Sequence, residues 1–170
     1  MEQARFIITQ KPTKQDFILF NRTISNQEFH FRRTLIVINI IQLLFWGFFV
    51  SSYGAGDTSQ LCMLGTIAVF VIAYTNWSIF RNQDKKAAKL YDQNKVFGSL
   101  TKFQISLFDD HLESLTDCEQ GTVSYDKLYK IIESPTHFYF MYSKMQGIII
   151  AKESEDQRDF ILKLKEKYKL

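Results

Sequence analysis

Two long apolar segments dominate the first half of the chain. Thr34 to Ser51 and Leu61 to Phe80 contain no Asp, Glu, Lys, Arg or His. Each is close to the roughly 20 helical residues that cross about 30 Å of hydrocarbon. The segment between them, Ser52 to Gln60, is polar, carries only the charge of Asp57, and is short enough to make the helices antiparallel neighbours. The pattern predicts two transmembrane helices joined by an external loop.

Basic residues flank both apolar segments on the sides away from this loop. They are Arg32, Arg33, Arg81, Lys85, Lys86 and Lys89. The positive-inside rule predicts from them an integral membrane protein with both termini in the cytoplasm. Because each basic residue near an anionic leaflet adds about 1 kcal/mol of attraction, these six are the candidate lipid-headgroup contacts. The alternative is that they only set the topology.

Three amide side chains lie within the apolar segments: Asn39, Gln42 and Asn76. No ionisable residue accompanies them. A hydrogen bond from helix to helix is therefore expected, rather than a transport path.

Residues 1–33 are expected to form a strand followed by a helix in the cytosol. Arg5 to Thr9 is a β-prone run, and Thr13 with Asp16 three residues later resembles a capping box. A lone strand leaves both of its edges unpaired. We therefore predict that Arg5 to Thr9 pairs with a sheet formed after the second apolar segment.

Good helix formers continue the second helix through residues 81–97, and from there the hydrophobic period changes to two. The predicted strands are Thr101 to Leu107, His111 to Thr116, Val123 to Ser134 with a kink near Asp126, His137 to Tyr142, and Ile148 to Ala151. A turn is expected at Asp117 to Gly121, and Phe138, Phe140 and Tyr142 share one apolar face. The strands form an antiparallel meander.

A final helix is predicted from Ser154 onward, where Ser154 and Gln157 make a capping box. Its apolar stripe would cover the open end of a curled, barrel-like sheet. The predicted segments are thus 1–33, a cytosolic strand and helix that pack with the last domain; 34–51, the first span; 52–60, the external loop; 61–80, the second span; 81–97, a juxtamembrane helix; and 98–170, the sheet domain.

This order of elements resembles that of bacterial YcxB-like membrane proteins. The similarity is carried by the stretch Tyr125 to Glu133, the aromatic run Phe138 to Tyr142, and the apolar strand Ile148 to Lys152. The resemblance implies a pleckstrin-homology-like (PH-like) domain, in the form of a split barrel capped by the last helix. It also implies the bacterial cytoplasmic membrane, and it implies no particular activity.

Candidate chemistry is sparse. Asp109, Asp110 and His111 are neighbours in a turn, where they are expected to face water rather than to bind a metal. Cys62 and Cys118 are far apart in the chain, which favours neither a disulfide nor a metal pair. A net charge of +3 and basic residues explained by topology argue against nucleic-acid binding. We therefore expect no enzyme, no cofactor, no metal and no small-molecule substrate.

Three functions remain. The first is an interaction module that binds a protein or peptide partner, or another copy of the chain, at the inner membrane surface. The second is the sensing of anionic lipid headgroups by the basic residues. The third is an accessory subunit of a membrane transporter.

Overall fold

A computed structural model describes residues 3–53, 58–93, 103–116 and 119–170 of the chain. The helices are α1 (Lys14–Gln27), α2 (Phe31–Tyr53), α3 (Thr58–Gln93) and α4 (Glu155–Tyr168). The strands are β1 (Phe6–Gln10), β2 (Phe103–Leu107), β3 (His111–Thr116), β4 (Gln120–Ser124), β5 (Lys130–Glu133), β6 (His137–Met141) and β7 (Gly147–Ala151). The predictions for Asp57, for residues 94–97 and for Cys118 lie outside the described residues.

The chain divides into two compact units. One is a helical hairpin, residues 25–86, and the other is a sheet domain built from residues 1–24 and 87–170. The helix α3 continues beyond the second apolar segment to Gln93, so its last turns belong to the sheet domain.

In the hairpin, α2 and α3 run antiparallel. The rings of Phe31 and Phe80 meet with centroids 5.7 Å apart, while Asn39 bonds to Asn76 further along both helices. Both helices are long and apolar enough to cross a membrane, and only 6% of each apolar window is buried within the protein. This exposure differs from that of a core helix in a soluble protein, whose apolar window would be mostly buried.

The sheet domain begins with the N-terminal strand. The predicted pairing is confirmed, because β1 lies antiparallel to β2 with Ile8 opposite Ile105. In the sequence, residues 11–102, which include the whole hairpin, are therefore an insertion between two strands that pair in one sheet. The predicted capping box is also present, because Thr13 Oγ1 accepts from the Asp16 amide while the Asp16 carboxylate accepts from the Thr13 amide.

Two antiparallel sheets make up the domain, in the orders β1-β2-β3-β4 and β5-β6-β7. The extended run expected over Val123 to Ser134 is interrupted where its kink was expected, near Asp126, because a 3₁₀ helix at Tyr125–Lys127 separates β4 from β5. The Tyr125 side chain is fully buried, and its hydroxyl donates to the Phe108 carbonyl at 3.0 Å. Anchoring this side chain in the core turns the chain from one sheet to the other. The turn predicted to end at Gly121 is also shorter, since β4 already begins at Gln120.

The core lies between the two sheets and α4. It contains Ile8, Ile105, Phe138, Ile150 and Ile161, all nearly or fully buried. The predicted apolar stripe of the last helix faces this core, with Ile161 and Leu164 buried.

The second face of β6 is also buried, which the shared face of Phe138 and Phe140 does not predict. Tyr139 and Met141 pack against Phe20 and Ile24 of α1. The ring of Phe20 meets that of Tyr139 edge to face, with centroids 5.2 Å apart. The helix α1 therefore forms an extra layer on the β5-β6-β7 sheet.

A side chain joins the two sheets where β1 approaches β7. Gln10 donates from its Nε2 to the Ile149 carbonyl and accepts at Oε1 from the Ala151 amide, at 2.8 Å for the second bond. An amide side chain can reproduce the donor and acceptor of a peptide unit. Gln10 thus satisfies the edge of β7 as a neighbouring strand would.

The last helix is capped by Ser154, whose Oγ accepts from the Gln157 amide at 3.1 Å. In a complete capping box the Gln157 side chain would accept from the Ser154 amide. Here it accepts from the Glu153 amide and donates to the Ala151 carbonyl instead. Gln157 is buried, and it ties α4 to the end of β7.

Candidate interaction surfaces

The six predicted headgroup contacts are exposed. Arg32 and Arg33 follow Phe31 in the chain, and Arg81 follows Phe80, so the contact of those two rings brings these arginines to the same end of the hairpin. The Arg81 guanidinium lies 4.8 Å from the centroid of the Trp77 ring. The three lysines Lys85, Lys86 and Lys89 continue along α3, with Lys89 in the sheet domain.

A pair of asparagine amides joins the hairpin helices. Asn39 donates to the Asn76 oxygen at 3.2 Å, and Asn76 donates to the Asn39 oxygen at 2.8 Å. The predicted bond from helix to helix is confirmed for this pair. The third amide differs, because Gln42 Oε1 is buried and has no hydrogen-bond partner in the part of the chain that the structure describes.

One concavity of the sheet domain is an open groove of about 770 Å³ between β1 and α4. Charges of both signs line it and partly neutralise each other. The Arg5 guanidinium bonds to both Asp109 carboxylate oxygens at 3.1 Å, and this lowers the pKa of Asp109. Both side chains remain more than half exposed, so the pair contributes little to stability. The groove has no consistent charge by which to select a ligand.

A second, smaller cavity of about 280 Å³ opens between the ends of the two sheets. Apolar and aromatic side chains form most of its wall: Pro12, Phe17, Phe20, Phe103, Tyr142, Ile148 and Ile149. Polar side chains also line it: Ser114, Thr116, Glu119 and Gln120. Two glycines, Gly121 and Gly147, complete the lining. A lining of this chemistry is more suited to an apolar group than to an ion.

One wall of this apolar pocket is also a sheet edge. The strand β4 pairs with β3 on one side and is the last strand of its sheet. Tyr125 donates to the Asp110 carbonyl and Thr116 to the Glu119 carbonyl, in the same register as the β3–β4 ladder. Since hydrogen-bonded pairs alternate along an antiparallel ladder, residues 121 and 123 bond to β3. The backbone groups of residues 120, 122 and 124 therefore point away from the sheet.

Groups suited to catalysis are not assembled among the described residues. No cluster of three His, Cys, Asp or Glu side chains able to hold a metal occurs in residues 3–53, 58–93, 103–116 and 119–170. His111 Nδ1 lies 2.5 Å from an Asp110 oxygen, and the imidazole stacks on Phe108. Cys62, on α3, is an exposed free thiol.

Part of the sheet domain matches a known protein family. Residues 107–164 match the model of the YcxB-like protein family. The resemblance stated from the sequence is confirmed over this YcxB-like segment, which runs from the end of β2 into α4. No curated protein and no solved structure matches the chain.

Sequence reasoning missed the apolar pocket and the open β4 edge. The pocket draws residues from α1, β2, β4 and β7, which are distant in the chain. The edge had a detectable signal: Gln120 to Ser124 contains no charged residue and no proline, the usual protections of an edge strand.

Proposed function

We propose that this chain is a membrane-anchored, PH-like interaction module that binds a protein or peptide partner at the cytoplasmic surface of a bacterial membrane. The observation that carries the proposal is the apolar pocket at the open end of the two sheets, adjacent to the unpaired β4 edge. Binding needs a shaped apolar recess and unpaired backbone groups, and it needs no reactive side chain.

Anchoring is supported by the exposed apolar surface of the hairpin. Large side chains such as Leu44, Phe48 and Phe70 are each about 70% exposed. In water, so much contiguous apolar surface would cause aggregation. In a bilayer, the same apolar surface would contact lipid chains, and the side-chain amides of Asn39 and Asn76 would satisfy each other by hydrogen bonding.

A PH-like architecture is supported by the arrangement of four strands and three strands in two antiparallel sheets, followed by a helix that covers the core. In this interpretation the hairpin is an insertion between the first and second strands. Both ends of the insertion enter the same sheet, which supports placing the N- and C-terminal parts of the domain on one side of the membrane.

The proposal is tested by capturing partners of the intact protein. The full-length chain is crosslinked in native membranes, solubilised in mild detergent and purified, with the hairpin alone, residues 25–86, as the matched control. We expect a protein that is recovered with the full chain and not with the hairpin. Recovery of the same set of proteins with both would refute the interaction function of the sheet domain.

Headgroup sensing is the second candidate, favoured by the arginines at one end of the hairpin. Flotation of the full chain is not informative, because the hairpin alone would keep it in the vesicles. The test is therefore a pulldown of soluble inositol- and glycerophosphates by the protein in nanodiscs, compared with Lys85→Ala/Lys86→Ala. Equal binding of phosphates by the two proteins would eliminate a specific role for these lysines.

A further inference from the structure

From the β4 edge and the pocket beside it we infer the chemistry of the partner: an extended peptide segment that adds to β4 as an eighth strand. The segment carries apolar residues at alternate positions and Lys or Arg at its ends. This inference rests on the proposed function and deepens it by naming the site and the class of partner.

The outward backbone groups of β4 are suited to pairing with an added strand. The amides and carbonyls of residues 120, 122 and 124 point outward, and no hydrogen bond from these backbone groups occurs among the described residues. Gln120 and Thr122 are exposed, so a partner can reach the edge. An extended peptide satisfies such a row of groups through an antiparallel or parallel ladder.

The other edges of the two sheets have features that hinder pairing with an added strand. The junction of β1 and β7 is closed by the Gln10 side chain. The edge strand β5 carries Lys130 and Glu133, and the latter is fixed by Lys152 at 2.7 Å and Arg158 at 3.0 Å. The strand β4 carries no charged residue, and among residues 3–53, 58–93, 103–116 and 119–170 no side chain bonds to its outward backbone groups in this way, which singles it out as the docking edge.

The apolar pocket gives the peptide its side-chain preference. Side chains on successive residues of a strand point to opposite faces of the sheet, and Gly121 of β4 lines the pocket. Peptide residues opposite positions 121 and 123 therefore point to the pocket side of the sheet. At Gly121 a side chain would crowd Ser114 Oγ, 3.1 Å from an added Cβ, so the glycine keeps this wall open.

The acidic residues around β4 favour Lys or Arg at the ends of the peptide. Between Phe103 and Asp126 the sequence contains several acidic residues and no Lys or Arg. Glu119 lines the pocket, Glu113 is opposite Thr122 in the ladder, and Asp126 follows the other end of β4. A segment with basic ends complements this acidic edge, whereas an anionic lipid surface is repelled by it.

The test uses the full-length protein in nanodiscs and a phage-displayed library of random decapeptides as the probe. We expect enrichment of sequences with alternating apolar residues and flanking Lys or Arg. A fluorescent copy of an enriched decapeptide should bind about tenfold or more weakly to Thr122→Pro, which removes an outward amide without touching the ladder to β3. Thr122→Val keeps the amide and the β-branched side chain, and it should bind as the parent does.

Further variants keep the test decisive if Thr122→Pro misfolds. Gln120→Pro places the proline at the first residue of the strand, where it is tolerated. Glu119→Lys should weaken binding several-fold and reduce its dependence on salt. No enriched pattern, or equal binding by the parent and both proline variants, would overturn the inference.

Two outcomes separate this inference from the proposed function. If the proline variants still capture the same partner from membranes, the interaction function stands and the β4 assignment fails. If light scattering shows a dimer that Thr122→Pro converts to a monomer, a second copy of the chain occupies the edge and the peptide assignment fails.

Discussion

Replacing Gln10 with Ala tests how the N-terminal strand is integrated into the sheet domain. The substitution removes two hydrogen bonds and leaves the Ile149 carbonyl and the Ala151 amide without their partner. Each bond is worth about 1 kcal/mol net, so the loss is about 2 kcal/mol in the free energy of unfolding. For a domain of about 100 residues this lowers the melting temperature by roughly 8 to 16 °C.

The assay is thermal unfolding of the full chain in mild detergent, followed by near-UV circular dichroism of the buried tyrosines. Hydrogen exchange supplies a local measurement, because the Ala151 amide should exchange faster in Gln10→Ala. The matched control is Gln120→Ala, which shortens a glutamine on the exposed β4 edge and should change stability by less than about 0.5 kcal/mol. An unchanged melting temperature and unchanged exchange at Ala151 would refute the bridging role of Gln10.

Three further predictions concern single side chains. Asn39→Leu should destabilise the hairpin by about 0.6 kcal/mol in a dodecyl sulfate titration, because it leaves the Asn76 oxygen without its partner. Gln157→Ala should cost roughly 2 to 4 kcal/mol in urea unfolding, since it orphans two backbone groups at a buried site. Hydrogen bonds from Lys152, and to a lesser extent from Arg158, lower the pKa of Glu133. The stability that these bonds give the folded domain is therefore complete above the ordinary glutamate pKa and is lost as the pH falls through the lowered pKa. Glu133→Gln should flatten the acidic part of the profile of urea stability against pH.

Each of these has a result that would contradict it. The double variant Asn39→Leu/Asn76→Leu should recover part of the loss, and a further loss would contradict the pairing. For Gln157, a Gln157→Ala protein as stable as the parent would mean that the two backbone groups find other partners. For Glu133, profiles of the parent and Glu133→Gln that run parallel between pH 3 and pH 6 would contradict the ion-pair explanation.

The sequence predicts elements whose determinants are local. The capping box of Thr13 and Asp16 is complete within four residues, and the observed helix starts where that box places it. That β1 pairs with a sheet formed later in the chain was also predictable, because a lone strand leaves both of its edges unpaired. The asparagine pair followed from the cost of leaving amides unpaired in an apolar helix.

Features that depend on distant contacts were not predictable. The break at Tyr125 arises because its hydroxyl reaches the Phe108 carbonyl, and alternation along the chain carries no sign of that bond. Burial of both faces of β6 depends on α1, which lies more than a hundred residues earlier. The role of Gln10 likewise depends on β7 at the far end of the domain.

We propose that a hairpin crossing the membrane is inserted between two strands of one cytoplasmic domain. Cysteines are introduced singly at Gln3, Thr58 and Leu170 of a protein with Cys62→Ser and Cys118→Ser, and are labelled with an impermeant maleimide in vesicles of both orientations. The account predicts that positions 3 and 170 react from the same face and position 58 from the opposite one. Labelling of positions 3 and 170 from opposite faces, or of all three from one face, would contradict it.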